Sequence, residues 1–233
     1  MVSESATEKH AARVRHRATA PEAKIERRAA ILDAAVGLLR EAPLGVFSVD
    51  ALARRAGLAK GTVYLYFGTR EEVLLSVHAE RAQNLFDVLE RALAPPKADT
   101  ARIARAVVRH LREHPEFLPL AATCRSMLET NISVETAIAF KCAVGGRLLQ
   151  LGVRVEQLYP RLERGQGVAL LMASYGLMLG LWQIAEPPKC LEEAMLLPEM
   201  RVFKLDFDTQ LTNALVNLWE GATRRAAQKA RQK

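Results

Sequence analysis

Apolar residues recur every three or four positions through most of the chain, the spacing of helices buried on one face. Pro21 can start a first helix, in which Ile25, Ile31, Leu32, Ala35, Leu38 and Leu39 share a face, and Pro43 and Gly45 end it. Ser48 is a good N-cap, because its hydroxyl can accept a free backbone N–H two or three residues on. A short second helix then places Leu52 and Ala56 inward and stops at Gly57, where a sharp turn calls for positive φ. Leu58 packs into the same small core. A third helix is predicted from about Ala59 to Phe67, with Val63 and Phe67 inward. Gly68 stops it, and Thr69 caps a fourth from about Arg70 to Leu93, whose buried stripe includes Val73, Leu74, Val77, Leu85 and Leu89. Pro95-Pro96 closes that helix. Later helices are predicted over 99–114, 116–130, 133–152, 163–185 and 208–227.

The pattern predicts an all-α protein: an N-terminal three-helix head with a helix-turn-helix, plus a larger C-terminal helical domain. The segments are a flexible basic arm over 1–20, a helix-turn-helix domain over 21–69, a helical body over 70–227 and a basic tail over 228–233. Arg13, Arg15 and Arg17 in the arm can enter a minor groove or serve only to solubilise.

Composition sharpens this picture. The 233 residues are half apolar, enough for a substantial core, and aromatics are few. A formal charge of +7 suits a polyanionic partner without requiring one. The N-terminus is polar and lacks the apolar core of a signal peptide. Cys124, Cys142 and Cys190 are odd in number and widely spaced, which fits a reducing cytoplasm and small buried side chains. No nucleophile–base pair, phosphate loop or metal-ligand spacing stands out, so neither enzyme activity nor cofactor nor metal is expected. His110 and His114 lie one turn apart beside Glu113, a pattern best read as a solvated helix face. Gly165 to Ala185 carries no charge and approaches the length of a bilayer span. Gln166, Ser174, Gln183 and its glycines favour a buried soluble helix instead, so no membrane is expected.

A DNA-reading helix needs polar side chains on one face and apolar anchors on the other. Lys60 can donate to guanine acceptors or a phosphate, and Thr62 can meet a thymine methyl. Tyr64 and Tyr66 can donate to phosphate oxygens, and Gly61 lets the backbone approach the duplex. Free N–H groups behind Ser48 offer a further phosphate contact.

The run Gly61-Thr-Val-Tyr-Leu-Tyr-Phe-Gly-Thr-Arg-Glu-Glu-Val-Leu74, with Ala56-Gly57-Leu58 before it, resembles the signature of the tetracycline-repressor (TetR) family. Ile31-Leu-Asp-Ala-Ala and Phe47-Ser-Val are similar to that family's first and second helices; the likeness covers roughly 24–75. The resemblance implies a homodimeric, cytoplasmic transcriptional regulator, usually a repressor, with DNA contacts at Ser48, Lys60, Thr62, Tyr64 and Tyr66. Arg70 stands where relatives commonly have Lys, and Tyr66 where others place His; Arg70 keeps the charge for a phosphate contact but with different geometry.

The resemblance further implies that the last two long helices form the dimer interface, and that the body binds a small effector. Gly176 and Gly180 would let those helices approach closely, and Leu211, Leu215, Leu218 and Trp219 form one apolar stripe. The effector pocket is expected between the fourth helix and those of 99–182. Phe117, Met127, Phe140, Tyr175, Met178 and Trp182 are candidate walls, and Thr123, Glu129 and Asn131 candidate polar anchors. An apolar effector is expected. Double-stranded operator DNA, a second copy of the chain and that effector are therefore the expected partners. A transcriptional activator, or a helical adaptor binding protein through the same surfaces, remains an alternative.

Overall fold

The computed structural model describes the backbone of residues 4–41, 47–96, 99–124, 131–187 and 189–231, and the side chains among these other than 4–21, 189 and 225–231. The described residues are helical with no strand. The chain divides into two compact units, Met1–Val77 and His78–Lys233.

The first unit holds α1 (Glu4–Glu41), α2 (Val49–Arg55), α3 (Lys60–Tyr64) and the start of α4 (Arg70–Ala92). Ile31, Leu32, Leu52, Val63, Val73 and Val77 make its dry centre. The first turns of α4 belong to this core, so the unit runs past the residue-69 boundary read from the sequence. Arg28 helps to bind it together: its guanidinium lies 5.2 Å from the Phe67 ring centroid and donates to Ser76 Oγ at 3.3 Å. The α1 helix begins at Glu4, where the pattern predicts an arm up to residue 20. Ala, Arg and Glu recur through that stretch, and their helix propensity does not need apolar periodicity. The side chains of Arg13, Arg15 and Arg17 lie outside the described residues. Ile25 is 69% exposed, so the buried stripe of α1 starts only at Ile31.

The second unit continues α4 and adds α5 (Thr100–Glu113), α6 (Phe117–Thr123), α7 (Val134–Leu158), α8 (Gln166–Ala185) and α9 (Phe207–Arg231). Between α8 and α9 the chain makes short 3-10 turns. Asp99 and Ser133 cap α5 and α7, accepting from Ala101 N at 3.0 Å and Thr136 N at 3.1 Å. Both α7 and α9 extend further than the pattern predicts, α9 into the segment read as a tail. The 125–130 part of the predicted 116–130 helix, with Met127 and Glu129, lies outside the described residues.

Helices α7 and α8 cross at Gly152 and Gly167. A Cβ built on Gly167 would lie 2.1 Å from the Gly152 carbonyl oxygen, so only hydrogen fits there. Glu156 completes the corner, its Oε1 accepting from Gly165 N at 2.8 Å and Gly167 N at 3.0 Å. Helix α9 packs on α5 and α8, with Leu211, Leu215 and Trp219 buried. Trp219 Nε1 donates to Ser174 Oγ at 3.0 Å, which in turn donates to the Leu170 carbonyl at 2.8 Å.

Three expectations are corrected here. The sequence pattern puts Leu211, Leu215 and Trp219 at a dimer interface, but α5 and α8 of the same chain bury them. Cys142 and Cys190 are exposed, and only Cys124 is a buried thiol. His110 is 2% exposed rather than on a solvated face. Its ring meets the tilted His114 ring at 4.5 Å between centroids and Phe117 edge-on at 6.3 Å, at the corner between α5 and α6.

Candidate DNA-reading segment and effector cavity

The reading segment is set up by local chemistry. Ser48 sits in extended backbone and its Oγ accepts from Ala51 N at 3.1 Å, which starts α2. Gly57 has φ of +68°, the left-handed conformation that reverses the chain. Leu58 N then bonds the Ala53 carbonyl at 2.9 Å, locking the turn. Val63 and Phe67 are 1% and 4% exposed and anchor α3 and the turn after it.

Those anchors leave the opposite side free. Lys60 and Gly61 are exposed, Tyr64 is 47% exposed, and Thr62 and Tyr66 are half-buried. The predicted helix to Phe67 ends at Tyr64, and Leu65 to Phe67 continue as turn. Lys60 Nζ donates to Asp50 Oδ2 at 2.9 Å, and that hydrogen bond and charge raise the Lys60 pKa above its ordinary value. Arg70 is less free: its guanidinium pairs with Glu71 at 2.8 Å and donates to the Phe47 carbonyl at 3.4 Å. Behind it, Thr69 Oγ1 accepts from Glu72 N at 3.1 Å, and Glu72 Oε2 accepts from Gly68 N at 2.8 Å. This reciprocal cap fixes where α4 begins.

The second unit holds a partly open cavity of about 600 Å³, within the usual size of small-molecule sites. Helix α4 supplies His78, Ala82, Leu85, Phe86 and Leu89 to its wall. Ile103, Val107 and Phe117 come from α5 and α6, Phe140, Val144 and Leu148 from α7. Helices α8 and α9 close it with Tyr175, Met178, Leu215 and Trp219. No carboxylate lines it among the described residues. Lys141 is the cation in the described wall, its Nζ 5.7 Å from the Phe140 ring centroid. Burial pushes the Tyr175 hydroxyl pKa up, so that group stays neutral.

Of the candidate pocket residues, the structure brings Phe117, Phe140, Tyr175 and Met178 together. Thr123 is not in the wall; its hydroxyl donates to the Pro119 and Leu120 carbonyls of its own helix. Trp182 packs against the core outside the cavity wall, and Asn131 is exposed ahead of α7. Met127 and Glu129 are not described. Two residues assigned to dimerisation, Leu215 and Trp219, line the cavity instead. His78 is a wall residue that the sequence reading misses. Leu74, His78 and Ala82 follow at four-residue steps, so a histidine inside an apolar stripe is the available signal.

Gly176 and Gly180 lie on the outward side of α8, with nothing within 4 Å of an added Cβ. Met172 and Ile184, on the same helix, are each 52% exposed, and Leu218 of α9 is half-buried. Helix α8 is long and apolar enough to cross a membrane by composition alone, yet Leu170, Leu171, Ser174 and Met178 pack into this unit's core.

A helix-turn-helix with polar side chains outward, followed by a helical unit around an apolar cavity, defines the class of one-chain DNA-binding regulators with a ligand-binding body. The match to known families agrees: residues 31–77 fit the model described as bacterial regulatory proteins, tetR family, and 79–226 fit the tetracyclin repressor-like C-terminal domain. The chain belongs to the TetR family of transcriptional regulators.

The HTH-type transcriptional regulator EthR of Mycobacterium tuberculosis (strain ATCC 25618 / H37Rv) is 42% identical over 88 residues, which are 38% of this chain and 40% of that protein. The fatty acid metabolism regulator protein of Bacillus subtilis (strain 168) is 30% identical over 80 residues, 34% of this chain and 41% of that one. The matched stretches thus cover about two-fifths of those relatives' length. Among solved structures, FadR from Bacillus subtilis in complex with stearoyl-CoA aligns with a TM-score of 0.53 at 20% identity, over 82% of this chain and 96% of that one. PfmR from Thermus thermophilus aligns with a TM-score of 0.54 at 20% identity, over 82% and 97%. These similarities establish the shared fold.

Proposed function

We propose that the protein is a homodimeric repressor that a small apolar effector releases from its operator. The carrying observation is that α4 serves both units. Its Val73 and Val77 are core residues of the reading unit, while its Ala82, Leu85 and Leu89 line the cavity. Lys60, Gly61, Thr62, Tyr64 and Tyr66 contact the duplex, with Ser48 supporting a phosphate contact. Arg70 is a bracing residue first, since Glu71 and Phe47 already engage it. Two heads enter successive major grooves about 34 Å apart. Dimerisation uses the outward side of α8 around Gly176 and Gly180, with Leu218, and leaves Leu211, Leu215 and Trp219 inside each chain. Like other regulators of its family, the protein works in the cytoplasm. The wall of the cavity supports an apolar occupant, and the stearoyl-CoA complex of FadR supports an acyl-type one.

Selection from random duplexes, followed by fluorescence anisotropy on the enriched sequence, tests the reading. Tyr64→Ala and Lys60→Ala each weaken specific binding at least about tenfold. Unchanged specific binding in both variants refutes the assignment of the reading segment.

A further inference from the structure

Outside the effector cavity, α4 and α5 border a second cleft of about 390 Å³, lined by four arginines: Arg91 of α4 and Arg102, Arg105 and Arg109 of α5. The three on α5 follow at three- and four-residue steps, which puts them on one side of that helix. All four are exposed, and Ala92 and Ala106 give the cleft a small apolar floor. Arg102 is already oriented, its guanidinium donating to the Arg91 carbonyl at 3.1 Å. Negative charge is scarce around them. Asp99 stands 3.8 Å from Arg105, but both side chains are more than half exposed, so that pair is weak and screened. Asp87 and Glu90, the acids in the last turns of α4, are engaged by Arg147 of α7 instead. Glu113, one turn beyond Arg109, lies outside the wall of the cleft. Arg91 and Arg109 have no side-chain ion pair among the described residues.

We propose that this cleft is a second binding site, for a small ligand carrying linked phosphate groups: a diphosphate, free or as part of a nucleoside polyphosphate. Four like charges side by side repel one another, and an anion bound among them removes that repulsion. A guanidinium donates in a fixed planar fork that matches phosphate oxygens two at a time. A diphosphate has acceptor oxygens for several forks at once, whereas a lone carboxylate has two. Bound there, it bridges Arg91 on α4 to the arginines of α5. Further along α5, Arg112 is paired with Asp208, so the run of unbalanced charge ends within the cleft and fits a compact anion rather than a duplex backbone. The cleft shares no wall residue with the effector cavity, so this site does not depend on the effector reading above.

Isothermal titration calorimetry of the intact protein with inorganic pyrophosphate tests this, with ATP, orthophosphate and succinate as further probes at one fixed salt concentration. Pyrophosphate binds saturably and at least about tenfold more tightly than orthophosphate or succinate. Arg91→Gln and Arg109→Gln each remove an exposed charge that no acid balances, so the fold is kept, and each weakens pyrophosphate binding about three- to tenfold. The double variant loses that binding while keeping wild-type helicity by circular dichroism. Arg109→Lys, with the charge but not the fork, retains part of the affinity. ATP binding tighter than pyrophosphate supports the site with a nucleoside polyphosphate as its ligand, and ATP binding no tighter supports it with the diphosphate alone. Absence of pyrophosphate binding, succinate matching pyrophosphate, or wild-type affinity in a folded double variant overturns the site. Displacement of bound pyrophosphate by random-sequence duplex DNA assigns the cleft to a nucleic-acid backbone and overturns the small-ligand class.

Discussion

Removing Arg81 while leaving Glu116 in place should cost several times more stability than a typical surface substitution. Arg81 of α4 donates from Nε to Glu116 Oε1 at 2.6 Å, and the two side chains are 14% and 0% exposed. Glu116 immediately precedes α6, and His114 Nδ1 stands 3.7 Å from the same carboxylate oxygen. At the 2.6 Å between Arg81 and Glu116, the attraction is about 6 kcal/mol at an effective dielectric near 20. Desolvation of both ions costs several kcal/mol each, so the pair gives little net stability. Its disruption is another matter. Arg81→Met takes the guanidinium away from a carboxylate with no exposure, which costs about 3–5 kcal/mol. Arg81→Met with Glu116→Leu removes both charges and recovers most of that loss. Urea unfolding measures both variants at one fixed protomer concentration, because the proposed dimerisation would couple stability to concentration. A loss under about 1 kcal/mol in the single variant refutes the reasoning, and so does a double variant as unstable as the single one.

Acid weakens the fold through its buried imidazoles. His78 and His110 titrate near pH 4 in the folded chain against about 6.5 unfolded, so the unfolded chain binds more protons in that window. Their contribution is complete above about pH 6.5 and is lost as pH falls toward 4; His78→Phe removes a share of order 3 kcal/mol from that slope in unfolding curves taken across pH. At the proposed reading segment, Asp50→Asn frees Lys60 from its carboxylate and removes an exposed negative charge 2.9 Å from the Lys60 ammonium. Operator affinity should then rise about two- to fivefold at low salt, with the gain shrinking as salt increases in anisotropy titrations. Gly167→Ala drives a methyl into the Gly152 carbonyl and should cost about 1–3 kcal/mol by thermal or urea unfolding. Gly176→Leu meets open space within the chain, so it should leave the protomer folded while weakening the proposed dimer in analytical ultracentrifugation.

The head was legible because short-range chemistry decides it. The Ser48 hydroxyl, the left-handed Gly57 and the Thr69–Glu72 exchange each act within four residues, and each falls where the pattern places it. The body was less legible because its outcomes depend on which surfaces meet. Leu211, Leu215 and Trp219 make a stripe that any apolar partner could cover, and periodicity does not say whether that partner is the same chain or a copy. Here α5 and α8 take it. Thr123 fails as a pocket anchor for a different reason: its hydroxyl is satisfied by carbonyls one turn back, a bond that removes it from ligand chemistry. His110 shows the converse, a titratable residue drawn inside because Phe117, His114 and the Arg81 backbone surround it.

The proposed coupling between effector and DNA finds its energy in the same helix. Val77, the last residue of the first unit, is fully buried in that unit's core, and His78, the next residue along α4, lines the cavity. Regulation by an effector needs a coupling of about 1–3 kcal/mol, or roughly 5–150-fold in affinity. Tight binding alone does not supply it: the ligand must bind one state of the protein better than the other by that amount. A molecule that fills the cavity without that preference should occupy it and still leave operator affinity nearly unchanged, which separates filling the site from switching it.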